Sequence, residues 1–274
     1  MKQEMKIILA ICLFVILTIS NLFIYPIYFE YQCKTRNFQD FEAKITSDII
    51  NSNIVIVTKE EKEFENGLRT SYDAGASGII FKQDKETYYA LTAYHVVKDY
   101  MNAEYLIIPY GSPTYSEYRK QNETHVSLEE YYEQFKKVSV VFADEACDLA
   151  VISFESKKQL NVLSIEKVNP SQNEKIAVVS NPKGKRFVLS YGNIHSKNYY
   201  TFDSGDDLKP VKTFKHNAYV DFGSSGSVVL NQDMKIVGIN IGGGTNFFHK
   251  FKYGAMVPCE LILDFLNKND FSVK

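Results

Sequence analysis

The sequence predicts an all-β domain carried behind an apolar N-terminal segment. Two observations point there. From residue 45 onward at least ten short strand-like runs follow one another, separated by regular turn signals and with few helical patterns. Such spacing marks a barrel or a sandwich. Ahead of them lie residues 7–29, a 23-residue run without a charged side chain, and about 20 such residues cross a bilayer as a helix. The run ends Ile24-Tyr-Pro-Ile-Tyr-Phe29 with no Ala-x-Ala-like cleavage site, so it reads as a retained anchor rather than a signal peptide. Residues 1–6 are then a short tail and residues 30–44 a polar stalk. Lys2 and Lys6 before the run against Lys34 and Arg36 after it leave the orientation close to a tie by the positive-inside rule.

Each later element has its own signal. Residues 54–57 (Ile-Val-Ile-Val) form an apolar strand, and the charged stretch 59–73 reads as an exposed loop. Residues 79–82 and 88–92 are strands joined by the polar turn Gln83-Asp-Lys-Glu86, and they deliver Ala93-Tyr-His95-Val-Val97. Residues 105–108 are a strand. The insertion 111–137 holds Ser127-Leu-Glu-Glu130, a capping box that opens a short helix with Leu128, Tyr131, Tyr132 and Phe135 along one side. Further strands are expected at 138–142, 149–154, 174–179, 186–189, from 191, at 214–220, 228–230, 235–241 and 253–257. Asn181-Pro-Lys-Gly184 reads as a turn and 201–209 as a polar loop. Pro258 stands where a helix can start, and Leu261, Ile262, Phe265 and Leu266 give that helix an apolar face.

Composition excludes several classes. A net charge of −2 lacks the basic footprint of a nucleic-acid binder. Cys12, Cys33, Cys147 and Cys259 form no Cys-x-x-Cys pair, so the chain is neither a disulfide scaffold nor a zinc ribbon. Gly184-Lys185 is no phosphate loop, because Val179 stands where the first glycine should be, and there is no His-Glu-x-x-His. No metal and no organic cofactor are expected.

The chemistry gathers around Asp221-Phe-Gly-Ser-Ser-Gly-Ser227. Glycines on both sides of Ser225 let the chain turn sharply, present a hydroxyl and aim backbone N–H groups at one point. Of the five histidines (95, 125, 195, 216 and 249), only His95 emerges at the end of an apolar strand. Asp148 opens another such strand, and an acid there is costly to bury unless paired, for instance with an imidazole. Asp144 is the alternative acid. The order His95, Asp148, Ser225 is that of chymotrypsin-type triads and not of subtilisins or α/β-hydrolases.

Five ordered blocks then resemble the trypsin-like proteases of the HtrA group, over residues 54–266. Ala76-Ser-Gly-Ile-Ile80 and Leu91-Thr-Ala-Tyr-His-Val-Val97 resemble the blocks that lead to the family's catalytic histidine. Asp148-Leu-Ala-Val151 resembles the block at its triad acid. Val178-Val-Ser-Asn-Pro182 with Gly192-Asn-Ile194, Gly223-Ser-Ser-Gly-Ser227 with Val237-Gly-Ile-Asn240, and Tyr253-Gly-Ala-Met-Val-Pro258 resemble the blocks of the family's second half. Ser224 departs from the usual Asn, and Ser227-Val228 from Gly-Pro. The Gly-x-Ser-Gly-Ser pattern is similar also to staphylococcal glutamyl endopeptidases, which carry His where this chain has Asn240; this argues against Glu specificity.

The resemblance implies two six-stranded antiparallel β-barrels in a protease domain over 45–270: first barrel 45–158, second 159–257, closing helix 258–267, and no PDZ domain. It implies a triad of His95, Asp148 and Ser225, an oxyanion hole from the N–H groups of Gly223 and Ser225, and a primary pocket walled by Tyr219, Asn240, Ile241, Gly242 and Ala255. The expected activity is membrane-anchored serine endopeptidase, acting on protein or peptide substrates outside the cytoplasmic membrane. A catalytically silent binding module and an esterase are the alternatives.

Overall fold

The computed structural model describes the chain except residues 1, 26, 29–40, 42–43, 46, 65–66, 123–125, 205–207 and 272–274. Most of the expected stalk, Cys33, His125 and Gly205 lie outside the described residues.

The apolar N-terminal run is met as α1 (Lys2–Ile19) followed by a π-helical segment, Ser20–Ile24. Residues 26 and 29 of the expected 7–29 span lie outside the described residues. The α-helix takes in Lys2, Glu4 and Lys6 and changes form while the apolar run continues. Among the described residues no helix is long and apolar enough to cross a membrane. The short α2 (Ser47–Asn51) then leads into the β-rich body.

Two antiparallel sheets make up that body. The first is built from β1 (Asn53–Phe64), β2 (Gly67–Asp84), β3 (Thr87–Thr92), β4 (Glu104–Pro109), β5 (Lys136–Lys137), β6 (Ser139–Asp144) and β7 (Leu149–Glu155). Its order is β5-β4-β1-β2-β3-β7-β6. It has seven strands rather than the expected six, because the two lysines of β5 pair with β4 at Leu106 and Ile107. The second comprises β8 (Lys175–Ser180), β9 (Val188–Phe202), β10 (Val211–His216), β11 (Ser227–Leu230), β12 (Ile236–Thr245) and β13 (Phe251–Pro258), closed in the order β10-β13-β12-β11-β8-β9.

Of the stretch expected as a loop, residues 59–64 and 67–73 are strand. β1 and β2 pair from Asn53↔Ile79 out to Phe64↔Gly67, and beyond Lys59, the last β1 residue paired with β4, the strands of this charged hairpin pair only with each other. Its backbone bonds are satisfied by its own partner strand, and it needs no apolar face.

Alternation along the strands sorts the core. In β11, Val228 and Leu230 pack between the two sheets while Val229 faces into the closed barrel with Ile176, Phe214 and Met256. Ile54, Ile80, Ile107 and Ile152 fill the first sheet's own interior. The helix after Pro258, α6 (Cys259–Lys268), buries Ile262, Phe265 and Leu266 against the layer between the sheets. Burying each such side chain is worth about 1.5–3 kcal/mol.

The insertion contributes α4 (Tyr115–Asn122) and α5 (Leu128–Glu133). The capping box forms as expected: Glu130 N–H donates to Ser127 Oγ at 3.1 Å and Ser127 N–H to Glu130 Oε2 at 2.7 Å. Tyr131 and Tyr132 are buried, but Leu128 is exposed, against expectation. It is the first residue of the helix, and the packed side is taken by tyrosines 115, 118 and 131. Arg186 ties the insertion down, donating to the Ser112 and Pro113 carbonyls and to Tyr131 Oη.

Candidate active site

Strand register brings His95 to Asp148. β3 and β7 pair with Thr92 opposite Ala150, so two steps further on the chain at 94 lies level with 148. There α3 (Tyr94–Val97) begins, with no side chain of its own capping it. Asp148 supplies that cap. Its Oδ1 accepts the backbone N–H of His95 at 2.9 Å, and Oδ2 lies 2.8 Å from His95 Nδ1. Asp148 sits at φ 51 in the turn before β7, a left-handed conformation that Asp tolerates better than most residues. Its side chain is 6% exposed and that of His95 25%, so the acid is enclosed and the imidazole reaches the cleft.

The loop that carries Ser225 is held peptide by peptide. The Phe222 carbonyl accepts Lys183 N–H at 2.7 Å, and the Ser224 carbonyl accepts Asn240 Nδ2 at 3.0 Å and Ser227 Oγ at 2.7 Å. The Gly223 carbonyl accepts Ser77 Oγ at 3.0 Å, and the Ser225 carbonyl accepts Ser77 N–H at 2.8 Å. Ser224 N–H goes to the Asp221 carbonyl and Gly226 N–H to that of Asn240. Among the described residues that leaves the N–H groups of Gly223 and Ser225 unspent. In a trans peptide N–H and C=O point opposite ways. Anchoring the Phe222 and Ser224 oxygens therefore turns these two N–H groups away from the protein.

Gly223 and Gly226 make the loop possible. They adopt φ 91 and φ 78, and a Cβ on Gly226 would collide with the Ser77 carbonyl and Thr92 Oγ1. Gly223 lies as tightly against the Asn181 carbonyl.

His95, Gly223 and Ser225 line one cleft with Tyr219, Asn240, Ile241 and Gly242. Among the described residues no hydrogen bond joins Ser225 Oγ to His95. Ala255, expected in the pocket wall, is fully buried in the layer between the sheets and does not reach the cleft. It lies opposite Gly242 across a register shift in β12, and alternation along β13 turns its side chain inward. Asn240 is also fully buried, with its side-chain amide turned into the barrel.

The Tyr219 hydroxyl donates to Asp221 Oδ2, which also holds Lys183 Nζ at 2.7 Å. Burial works to raise the Asp221 carboxyl, but the bonds from Lys183, Tyr219 and Phe222 N–H outweigh it and hold the group below the usual Asp value. The Asp221 charge in the cleft wall is thus already paired. Ser77, Asn181, Lys183 and Phe222 were not singled out from sequence. Phe222 is 88% exposed beside the nucleophile, and the only sequence signal for it was its place in the Gly-Ser loop.

Among the described residues no group of three or more His, Cys, Asp or Glu side chains could hold a metal ion. Burial pushes the thiols of Cys147 and Cys259 up to about 12, so neither is a thiolate nucleophile at neutral pH.

The two sheets bring the His95–Asp148 pair and the Ser225 loop to one cleft. The chain belongs to the trypsin-like peptidase family, whose domain model matches residues 76–239. It is 26% identical over 168 residues to the serine protease Do-like HtrB of Bacillus subtilis, covering 60% of this chain and 32% of that protein. It is 27% identical over 211 residues to a Staphylococcus aureus protein, serine protease HtrA-like, covering 72% and 24%. The chain thus spans about a quarter to a third of these relatives' length. Among solved structures it resembles the HtrA-type protease AlgW with decapeptide, at TM-score 0.60, 14% identity and coverage of 81% and 65%. It also resembles the active form of the Rv3671c protease from M. tuberculosis, at 0.57, 14%, 80% and 81%.

Proposed function

We propose that the chain is a serine endopeptidase working through His95, Asp148 and Ser225. The observation that carries this is the hydrogen-bond account of the nucleophile loop, which leaves free the two N–H groups an oxyanion needs. Ser225 Oγ attacks the scissile carbonyl as its proton passes to His95 Nε2, and Asp148 holds the imidazole with Nδ1–H toward itself. The oxyanion is met by the N–H groups of Gly223 and Ser225. The C–N bond breaks as His95 returns the proton to the leaving amine, and water then cleaves the acyl ester. No metal or organic cofactor takes part. Tyr219, Ile241 and Gly242 receive an uncharged substrate side chain.

The domain is held at the outer face of the cytoplasmic membrane by residues 7–29. Supporting this, the apolar side chains of α1 are exposed, with Leu9 and Phe14 each 71% exposed. Protease accessibility in intact cells and spheroplasts tests the placement; protection of the domain in both refutes it.

The activity is tested on the full chain and on Ser225→Ala with a fluorophosphonate probe and casein. Labelling at Ser225 with casein cleavage is expected, both absent in the variant. The missing Ser225–His95 bond favours a second reading, a silent peptide-binding module, which predicts no labelling. Labelling without casein cleavage points to an esterase.

A further inference from the structure

We infer that Asn240, held by His216, is a positioning residue that aims the oxyanion-binding N–H of Ser225. The inference rests on the hydrolase reading for its function but on separate geometry for its substance.

His216 and Asn240 form a polar island inside the closed barrel. Phe214 and Ala218 face that interior, and alternation puts His216 between them on the same side. Ile239 and Ile241 face the layer between the sheets, so Asn240 points the other way, into the barrel. Both polar residues are fully buried.

Their bonds run in one direction. Asn240 Nδ2 can only donate, and it donates to the Ser224 carbonyl at 3.0 Å. Oδ1 is then the atom facing His216 Nε2 at 3.1 Å, and because Oδ1 can only accept, Nε2 must carry the hydrogen. The Ser224 carbonyl belongs to the same peptide as the Ser225 N–H. Drawing its oxygen toward Asn240 points the N–H into the cleft.

Nothing in this chain of contacts is slack. The Asn240 carbonyl takes Gly226 N–H at 2.8 Å, so the same residue grips the loop on both sides of Ser225. The imidazole lies so close to Gly254 that a Cβ there would collide with the ring. His216 Nδ1 has no hydrogen-bond partner among the described residues. Ser227 Oγ shares the Ser224 carbonyl, so losing Asn240 should loosen the N–H without freeing it.

Losing an oxyanion donor outright costs about 10²–10³ in kcat; loosening one should cost about 10- to 100-fold. The test uses the full chain as wild type, Asn240→Leu and His216→Gln. Each is measured for kcat and KM per fluorophosphonate-titrated site, with thermal unfolding alongside. Asn240→Leu should lower kcat per titrated site by about 10- to 100-fold with KM within about twofold, the mark of an interaction made in the transition state. His216→Gln, which can still donate to Asn240 Oδ1, should keep most of it. A kcat per titrated site equal to wild type overturns the inference, and so does a loss carried by KM, which would make Asn240 a pocket wall.

The imidazole nitrogen shifts of His216 in the wild type give a readout that needs neither activity nor a variant. An Nε2–H tautomer is expected, and an Nδ1–H tautomer overturns the inference whatever the activity. A folded wild type with the expected tautomer that never reacts with the probe refutes the hydrolase reading alone.

Discussion

Asp148 binds His95 twice, through the backbone N–H at 2.9 Å and through Nδ1 at 2.8 Å. One carboxylate thus caps the helix that carries the histidine and sets its tautomer. Asp148→Asn can keep the cap through its oxygen, but its NH₂ then faces Nδ1 and forces the hydrogen onto Nε2. That nitrogen cannot accept a proton from Ser225. A fall of about 10⁴ in kcat, the size known for this change in a triad, is expected with the fold retained. Peptide hydrolysis and circular dichroism on the same sample check it.

Ser224 and Ser225 should separate cleanly. Ser224 is buried, and its Oγ accepts Asp221 N–H at 3.2 Å. Ser224→Ala removes that bond, worth about 1 kcal/mol, and should keep much of the activity. Ser225→Ala should abolish turnover, on the order of 10⁶ in kcat by analogy with subtilisin. If Ser224→Ala is the dead variant, the nucleophile has been misassigned.

Gly226→Ala should unfold more easily and lose activity together. The new Cβ would strike the Ser77 carbonyl and Thr92 Oγ1 at φ 78. Left-handed strain of about 1–2 kcal/mol and overpacking of about 1–3 kcal/mol should both register in urea unfolding. An unchanged midpoint would refute the packing described between the loop and the first sheet.

His216 should shape the acid side of stability. Burial lowers its pKa to about 4, against the smaller opposing effects of Asn240 and the Ala218 backbone. The strands flanking β10 place Gly254 and Ile194 opposite the ring, and neither offers a counter-charge. The unfolded chain takes up this proton near pH 6.5, while the folded chain resists until about 4. Stability should therefore fall as pH drops through that window, by roughly 3 kcal/mol at most. Asp221, held below its ordinary value, loses its contribution only at lower pH. Urea unfolding from pH 7 to 4.5 should show the slope, flattened in His216→Gln.

Cleavage should follow uncharged residues. The expected wall residues Tyr219, Ile241 and Gly242 are uncharged, and Asp221 beside them is already engaged by Lys183 and by the Tyr219 hydroxyl. Profiling with a peptide library should return small or medium aliphatic residues; a strong Arg, Lys or Glu preference would contradict it.

The sequence was most readable where backbone geometry demands a residue type. Gly223 and Gly226 stand at positive φ, and Asp148 and His95 stand at strand ends where a polar group must find a partner. Apolar runs such as 149–154 gave away buried strands. The β1–β2 hairpin stayed hidden because both its faces are charged, leaving no period-2 apolar signal. The helix Tyr115–Asn122 buries no residue and so shows no stripe. Ala255 falls outside the cleft lining because a pocket wall depends on which way a strand residue faces. The register shift between Asn240 and Gly242 changes that in a way alignment does not register.

The bond from Ser77 N–H to the Ser225 carbonyl bears on how such a protein is born. Ser77 leaves the ribosome roughly 15 seconds before Ser225 does, at about 10 residues per second. Until the second sheet docks on the first, neither this bond nor the one from Ser77 Oγ to the Gly223 carbonyl can form. On the hydrolase reading, a nascent chain should therefore stay inactive until its two sheets meet.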